Sequence, residues 1–142
     1  SRLYVADRDA VRVLAYDEPF TNGMNASAVI GQNGSYTSNT NHGCDQADGK
    51  FRNPWGLKSH GGKLYIGAYN CDNIVVFDES DFTTAIQYKE TSPPLTPNVS
   101  DMELVGNDLW ITDNVYDRLA LIPDFVTLED YGVEVFKSLF FR

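Results

Sequence analysis

The sequence predicts an all-β protein built from repeated antiparallel sheets, and two observations lead to that prediction. First, three stretches align with one another without a gap, at residues 3–16, 64–77 and 109–122. Each contains an apolar strand, a polar turn and a second apolar strand, and the strands are rich in β-branched and aromatic residues. Second, no apolar pattern with helical spacing extends over a convincing length, and the prolines at 93, 94 and 97 exclude a helix there.

The spacing of the three copies is typical of propeller blades. They begin at Leu3, Leu64 and Leu109, which lie 61 and 45 residues apart. A period near 45 residues with several short strands in each copy is the range of a β-propeller blade. The longer first step also contains a loop at about 31–50, which consists almost wholly of turn-forming residues.

The middle copy predicts a complete four-stranded blade, with strands at 55–59, 63–69, 73–78 and 84–89. We expect blade 1 at about 1–34 without its innermost strand, blade 2 at about 51–90, and blade 3 at about 97–142 with an outer strand at 133–137. The chain then contains about 2.75 antiparallel blades, whereas propellers close with roughly four to eight. We therefore expect a longer polypeptide or a protein partner to complete the ring. The alternative is an open three-sheet protein that is stable alone.

The chain contains the motifs LYVAD at 3–7 with Arg five residues after the Asp, Gly-Gln at 31–32, and the lead-in FRNPWGL at 51–57. Together these motifs resemble those of the NHL repeat. The resemblance extends to about residue 124 and implies part of a six-bladed ring. The family includes lyases and hydrolases whose metal ligands, usually histidines, come from several blades. This chain has only His42 and His60, and we expect them on opposite faces.

An acidic and a basic residue recur at the ends of the paired strands. Asp7 is followed by Arg12, and Asp113 by Arg118, at the same offset of five residues. The intervening turn brings the two side chains together, and a half-buried carboxylate needs a partner such as guanidinium, which binds it in a bidentate way. We interpret both as structural ion pairs, with a binding pair as the alternative. The middle copy has neither charge in these places.

Two cysteines and three sequons predict a secreted, extracellular protein. Cys44 precedes the innermost strand of blade 2, and Cys71 lies in the turn between its second and third strands. Both connections emerge on the same face of a propeller, so we predict a disulfide between them, as is common in oxidising compartments. Free thiols or a metal site are the alternatives, although no zinc spacing is present. The sequons begin in predicted loops, at Asn25, Asn33 and Asn98, and we predict these three asparagines as candidate glycosylation sites.

The charge and the motifs exclude several classes of function. The net charge of −9 argues against nucleic acids and anionic membranes as partners, because both need basic patches. The sequence contains no phosphate-binding glycine loop, nucleophile elbow or covalent-haem motif. We predict no metal or other cofactor. The alternative is calcium, which takes oxygen ligands such as those of Asp45 and Asp48 or of Asp78 and Asp81.

We expect a binding surface at the face of the propeller that carries the two cysteines. Loops on a rigid scaffold are the usual place for function, and Tyr, Asn and Asp suit recognition. The predicted function is an extracellular scaffold or protein-interaction module without catalysis of its own. The alternatives are a glycan- or small-ligand-binding module and a fragment of a propeller lyase or hydrolase. The candidate binding residues are Tyr36, His42, Asp45, Tyr69, Asn70, Asp72, Asn114, Tyr116 and Asp117.

Overall fold

The computed structural model describes residues 1–42, 50–69, 71, 73–89, 98–114, 117–126 and 139–140. Within these residues the chain forms antiparallel β-strands in three sheets, so the all-β prediction is confirmed. No helix of this part of the chain is long and apolar enough to cross a membrane. The strands are β1 (Arg2–Asp7), β2 (Arg12–Asp17), β3 (Ala28–Ile30), β4 (Pro54–His60), β5 (Lys63–Ala68), β6 (Asn73–Asp78), β7 (Asp81–Lys89), β8 (Val99–Val105), β9 (Asp108–Asp113), β10 (Arg118–Ile122) and β11 (Leu139–Phe140).

The three repeated stretches form the same hairpin in three sheets. Sheet A has the order β1-β2-β3, sheet B the order β4-β5-β6-β7, and sheet C the order β8-β9-β10-β11. In each hairpin the first Leu pairs directly with the residue 13 positions later, because the last residue of the first strand and the first residue of the second are the same number of positions apart in all three hairpins. These partners are Leu3 with Tyr16, Leu64 with Phe77, and Leu109 with Ile122. Within the described residues β1 is an edge strand, whereas β5 and β9 each pair on both sides.

The outer strand of sheet B begins earlier than the sequence indicates. β7 starts at Asp81 rather than at Thr84, because the connection after β6 is a tight turn. One carboxylate oxygen of Asp78 accepts hydrogen bonds from the backbone and the hydroxyl of Ser80, and such local bonds favour turns. The outer strand predicted at 133–137 lies outside the described residues, and β11 pairs with β10 in sheet C.

Sheet B lies between the other two sheets, and its central strands β5 and β6 are buried on both faces. Val75 and Phe77 of β6 pack in the core shared with sheet A, whereas Ile74 and Val76 pack in the core shared with sheet C. Side chains alternate between the two faces of a strand, so a strand covered on both faces is apolar at successive positions. Sheets A and C bury one face each, and β8 accordingly alternates between buried and exposed residues.

Glycines permit close approach where the sheets meet. A Cβ atom added at Gly67 of β5 would lie 2.4 Å from Cγ1 of Val99 in sheet C. Similarly, a Cβ atom at Gly31 would lie 2.4 Å from the buried ring of Phe51, which belongs to the core between sheets A and B. A side chain at either position would displace these neighbours, since cores are packed without spare volume.

The outer faces of sheets A and C, which point away from sheet B, carry exposed apolar side chains. On sheet A, Leu3 is 51% exposed and Val5 is 40% exposed. On sheet C, Val105 is 60% exposed and Leu119 is 48% exposed. Their neighbours along each strand point into the two cores, so strand alternation places these four residues on the outer faces.

Candidate functional site

The turns of the repeated hairpins lie at one end of the sheets, which we call the turn end. Arg8, in the turn after β1, contacts Trp55 at the start of β4 and Tyr69 just after β5. Gly67, near the end of β5, packs against Val99 at the start of β8. The end of β1, the end of β5 and the start of β8 are therefore neighbours, and this end corresponds to the face on which we expect binding.

An arginine and two aromatic rings form a cluster at the turn end, which we call the Arg8 cluster. The Cζ atom of Arg8 lies 4.8 Å from the ring centroid of Trp55 and 5.5 Å from that of Tyr69. The two ring centroids are 4.6 Å apart, with an interplanar angle of 62°. Cation–π and edge-to-face contacts of this kind hold the three groups in a defined arrangement. Trp55 remains 39% exposed.

The backbone around the cluster explains why these side chains meet. The amide of Val11 donates a hydrogen bond to the carbonyl oxygen of Arg8, at 3.1 Å, and closes the turn after β1. Val11 has φ 51°, which is unusual for a β-branched residue. In β4 the pairing register shifts between Pro54 and Leu57. Such an irregularity changes the direction of nearby side chains, and Trp55 lies within it.

Both Asp–Arg pairs are present beside the turns. In sheet A, Arg12 Nε donates to Asp7 Oδ2 at 2.8 Å, and Arg12 Nη1 also donates to the carbonyl oxygen of Tyr36. In sheet C, Arg118 Nε donates to Asp113 Oδ2 at 2.9 Å. The Asp7 side chain is 31% exposed, whereas that of Asp113 is fully buried. The pairs connect strand ends and, in sheet A, also attach the loop around Tyr36.

A buried glutamine attaches the loop after β3 to the turn end. Gln32 is 3% exposed. Its Nε2 donates to the carbonyl oxygens of Val11 and Thr40, at 2.9 and 2.8 Å, and its Oε1 accepts from the hydroxyl of Ser38 at 2.7 Å. The side-chain amide is therefore satisfied by backbone and hydroxyl groups, as burial requires. Tyr36, within this loop, is 51% exposed.

His42, which follows this loop in the sequence, favours the neutral rather than the charged form. Its Nε2 is buried and has no hydrogen-bond partner in the described part of the chain. Burial lowers the pKa of His42 below its usual value, and the positive charge of Lys50 lowers it further. Neutral imidazole is therefore favoured around neutral pH.

Among the predicted binding residues that the structure describes, Tyr69 alone belongs to the Arg8 cluster. Asn114 and Asp117 are exposed in the turn after β9. Asp45, Asn70, Asp72 and Tyr116 lie outside the described residues. Sequence reasoning missed Arg8 and Trp55. The only sequence features that could have indicated them are the position of Arg8 in a four-residue turn and the position of Trp55 between Pro54 and Gly56 at the start of a strand.

The cysteine and glycan predictions concern residues of which the structure describes all but Cys44. Cys71 is buried, with 8% exposure, but Cys44 lies outside the described residues, so the disulfide stays a prediction. Asn25 and Asn33 are exposed, whereas Asn98 is partly buried. The first two sequons are therefore accessible to an attached glycan, and their use also stays a prediction.

Two of the calcium candidates take part in local turn contacts. Asp78 and Asp81 each accept hydrogen bonds from the residue two positions further on, and these bonds lower the pKa of both carboxyl groups. In the described ranges no group of three or more His, Cys, Asp or Glu side chains is placed to hold a metal ion. Asp45 and Asp48 lie outside those ranges.

Comparison with known proteins adds no family to this description. No protein-family model matches the chain, and no curated protein matches it significantly.

Proposed function

We propose that the chain is part of an extracellular NHL-like β-propeller that binds a protein partner at its turn end and has no catalytic activity of its own. The Arg8 cluster is the observation that carries this proposal. Tryptophan, tyrosine and arginine are the residue types most enriched where protein interfaces gain their binding energy. Here they are joined on a rigid sheet framework, and Trp55 is accessible to a partner.

The sheet arrangement supports the propeller part of the proposal. Three sheets with the same hairpin register stack face to face, as consecutive blades do. The exposed apolar residues of the two outer faces, such as Leu3 and Leu119, are suited to packing against further blades. The remainder of the ring comes, in this proposal, from a longer chain or a protein partner.

Site-specific photo-crosslinking tests the interaction. A photoreactive amino acid replaces Trp55, and the labelled chain is irradiated with the extracellular protein fraction of its source. We expect a discrete covalent adduct with one protein. The matched control carries the same group at Thr83, which is exposed in β7 away from the Arg8 cluster. An absence of adducts specific to position 55 would contradict the proposal.

A glycan-binding function is the second candidate, and the exposed indole of Trp55 favours it. Ligand sites combine aromatic surface with a few polar groups, and Trp55 lies beside the guanidinium of Arg8. A glycan array separates the two candidates. Binding to defined glycans that is lost in Trp55→Ala supports this second function, whereas an array without binding and a protein adduct from position 55 support the first.

A further inference from the structure

We infer that Arg8 binds a carboxylate group in an acidic peptide segment of the protein partner. This inference depends on the proposed function and specifies the chemistry of the same site. It follows from a comparison of Arg8 with another arginine of this protein that also stacks on an aromatic ring.

That second arginine is Arg2, and its guanidinium already holds a carboxylate. Its Cζ atom lies 5.6 Å from the ring centroid of Phe82. Its Nε donates to Asp17 Oδ1 at 2.6 Å, and its Nη2 donates to Asp17 Oδ2 at 3.2 Å. This is the bidentate geometry in which a planar guanidinium matches a carboxylate. A ring-stacked arginine of this fold thus accommodates a bidentate carboxylate.

Arg8 has the same kind of support without the carboxylate. It is exposed and stacks on two rings rather than one. Among the described residues its guanidinium forms no hydrogen bond or ion pair, whereas Arg12 and Arg118 are each paired with an aspartate. Guanidinium has five N–H donors. Contact with the rings does not provide hydrogen-bond acceptors for these donors, whereas a carboxylate would. The donors of Arg8 are therefore available to a ligand.

The two rings lower the conformational-entropy cost of ligand binding at Arg8, and they add apolar surface that a ligand can contact. A side chain held in place loses less conformational freedom when a ligand binds, so the affinity is higher. The exposed part of Trp55 offers an apolar surface next to the guanidinium. A peptide that carries an acidic residue beside an aromatic one matches this combination. The net charge of −9 repels such a peptide at long range, so recognition depends on this direct contact.

Peptide titration of the full chain tests the inference. The probes are acetyl-Glu-Phe-Glu-amide and its neutral counterpart acetyl-Gln-Phe-Gln-amide. NMR follows the Nε–H signal of Arg8 and the indole N–H signal of Trp55. We expect both signals to shift in a saturable way with the acidic peptide. Its affinity is expected to be at least about tenfold higher than that of the neutral peptide, since charge-assisted bidentate bonds are lost with glutamine.

Variants separate Arg8 from the general charge of the surface. We expect Arg8→Gln to abolish the preference for the acidic peptide. We expect Arg8→Lys to weaken it, because lysine keeps the charge but lacks the planar guanidinium that binds a carboxylate in a bidentate way. Arg2→Gln is the matched control, since Arg2 is stacked on a ring but already occupied, and it is expected to bind as the wild type does. Unchanged binding in Arg8→Gln, or equal affinity for both peptides, would overturn the inference.

A glucuronate oligosaccharide distinguishes a sugar carboxylate from a peptide one. Stronger binding of this sugar than of the acidic peptide would overturn the peptide assignment in favour of an acidic glycan. The role of Arg8 and the proposed function are also tested separately. A protein adduct from position 55 without any preference for the acidic peptide rejects the role of Arg8 and keeps the proposed function. The absence of an adduct rejects the proposed function itself.

Discussion

Asp7 and Asp113 occupy equivalent positions in two hairpins but differ in burial, and their removal should therefore have unequal effects. Asp113→Ala leaves Arg118 without the carboxylate of a buried pair, so we expect a loss of about 3 kcal/mol in the free energy of unfolding. Asp7→Ala removes a partly exposed pair and should cost about 1 kcal/mol or less. Urea denaturation of the two variants measures the difference. Equal losses would show that the burial of Asp113 does not determine how much its ion pair contributes to the free energy of unfolding.

His42 should make the fold less stable in mild acid. Its pKa is lower in the folded protein than the ordinary value of 6.5, so the unfolded chain binds more protons between the folded pKa and 6.5. The free energy of unfolding therefore decreases as the pH falls through that window and is fully retained above 6.5. Urea denaturation about one pH unit above and about one unit below 6.5 checks this. The decrease should be smaller in His42→Gln, and an identical decrease in both proteins would exclude His42 as its source.

At the scale of elements, the contact between β5 and β8 depends on the absence of a side chain at Gly67. Gly67→Ala places a methyl group against Val99, and we expect a loss of about 1–3 kcal/mol by overpacking. Val99→Ala alone also destabilises, because it removes buried methyl groups. The double variant should lose less than the sum of the two single losses, since the smaller side chain relieves part of the clash. Strictly additive losses in urea denaturation would argue against a direct clash.

The hairpins are the part of the fold that the sequence predicts well. Equal spacing of apolar residues on both sides of a turn specifies cross-strand partners, and Leu3 with Tyr16 is one example. The start of β7 is predicted less well, because the turn before it depends on side-chain hydrogen bonds of Asp78. Arg8 and Trp55 were missed for a different reason. Their contact joins sheet A to sheet B, and strand periodicity contains no information on contacts between sheets.

At the scale of the whole molecule, the exposed apolar residues of the outer faces should cause the isolated chain to associate. We expect light scattering to give a mass above 15.9 kDa, because Leu3 and Leu119 lose contact with water on association. A variant with both Leu3→Lys and Leu119→Lys should be closer to the monomer mass. Thr83→Lys, an exposed substitution away from these faces, serves as the control. A wild-type chain that remains at 15.9 kDa would contradict the idea that these faces require a covering layer.

The position of sheet B between two cores also determines how the molecule loses its structure. β6 contributes Val75 and Phe77 to one core and Ile74 and Val76 to the other. Detachment of either neighbouring sheet would expose half of these side chains to water and remove support for the hydrogen bonds of the same strand. The three sheets are thus coupled through one backbone segment, and unfolding is expected to be cooperative. Amide hydrogens of β6 should exchange with solvent only when the whole array opens.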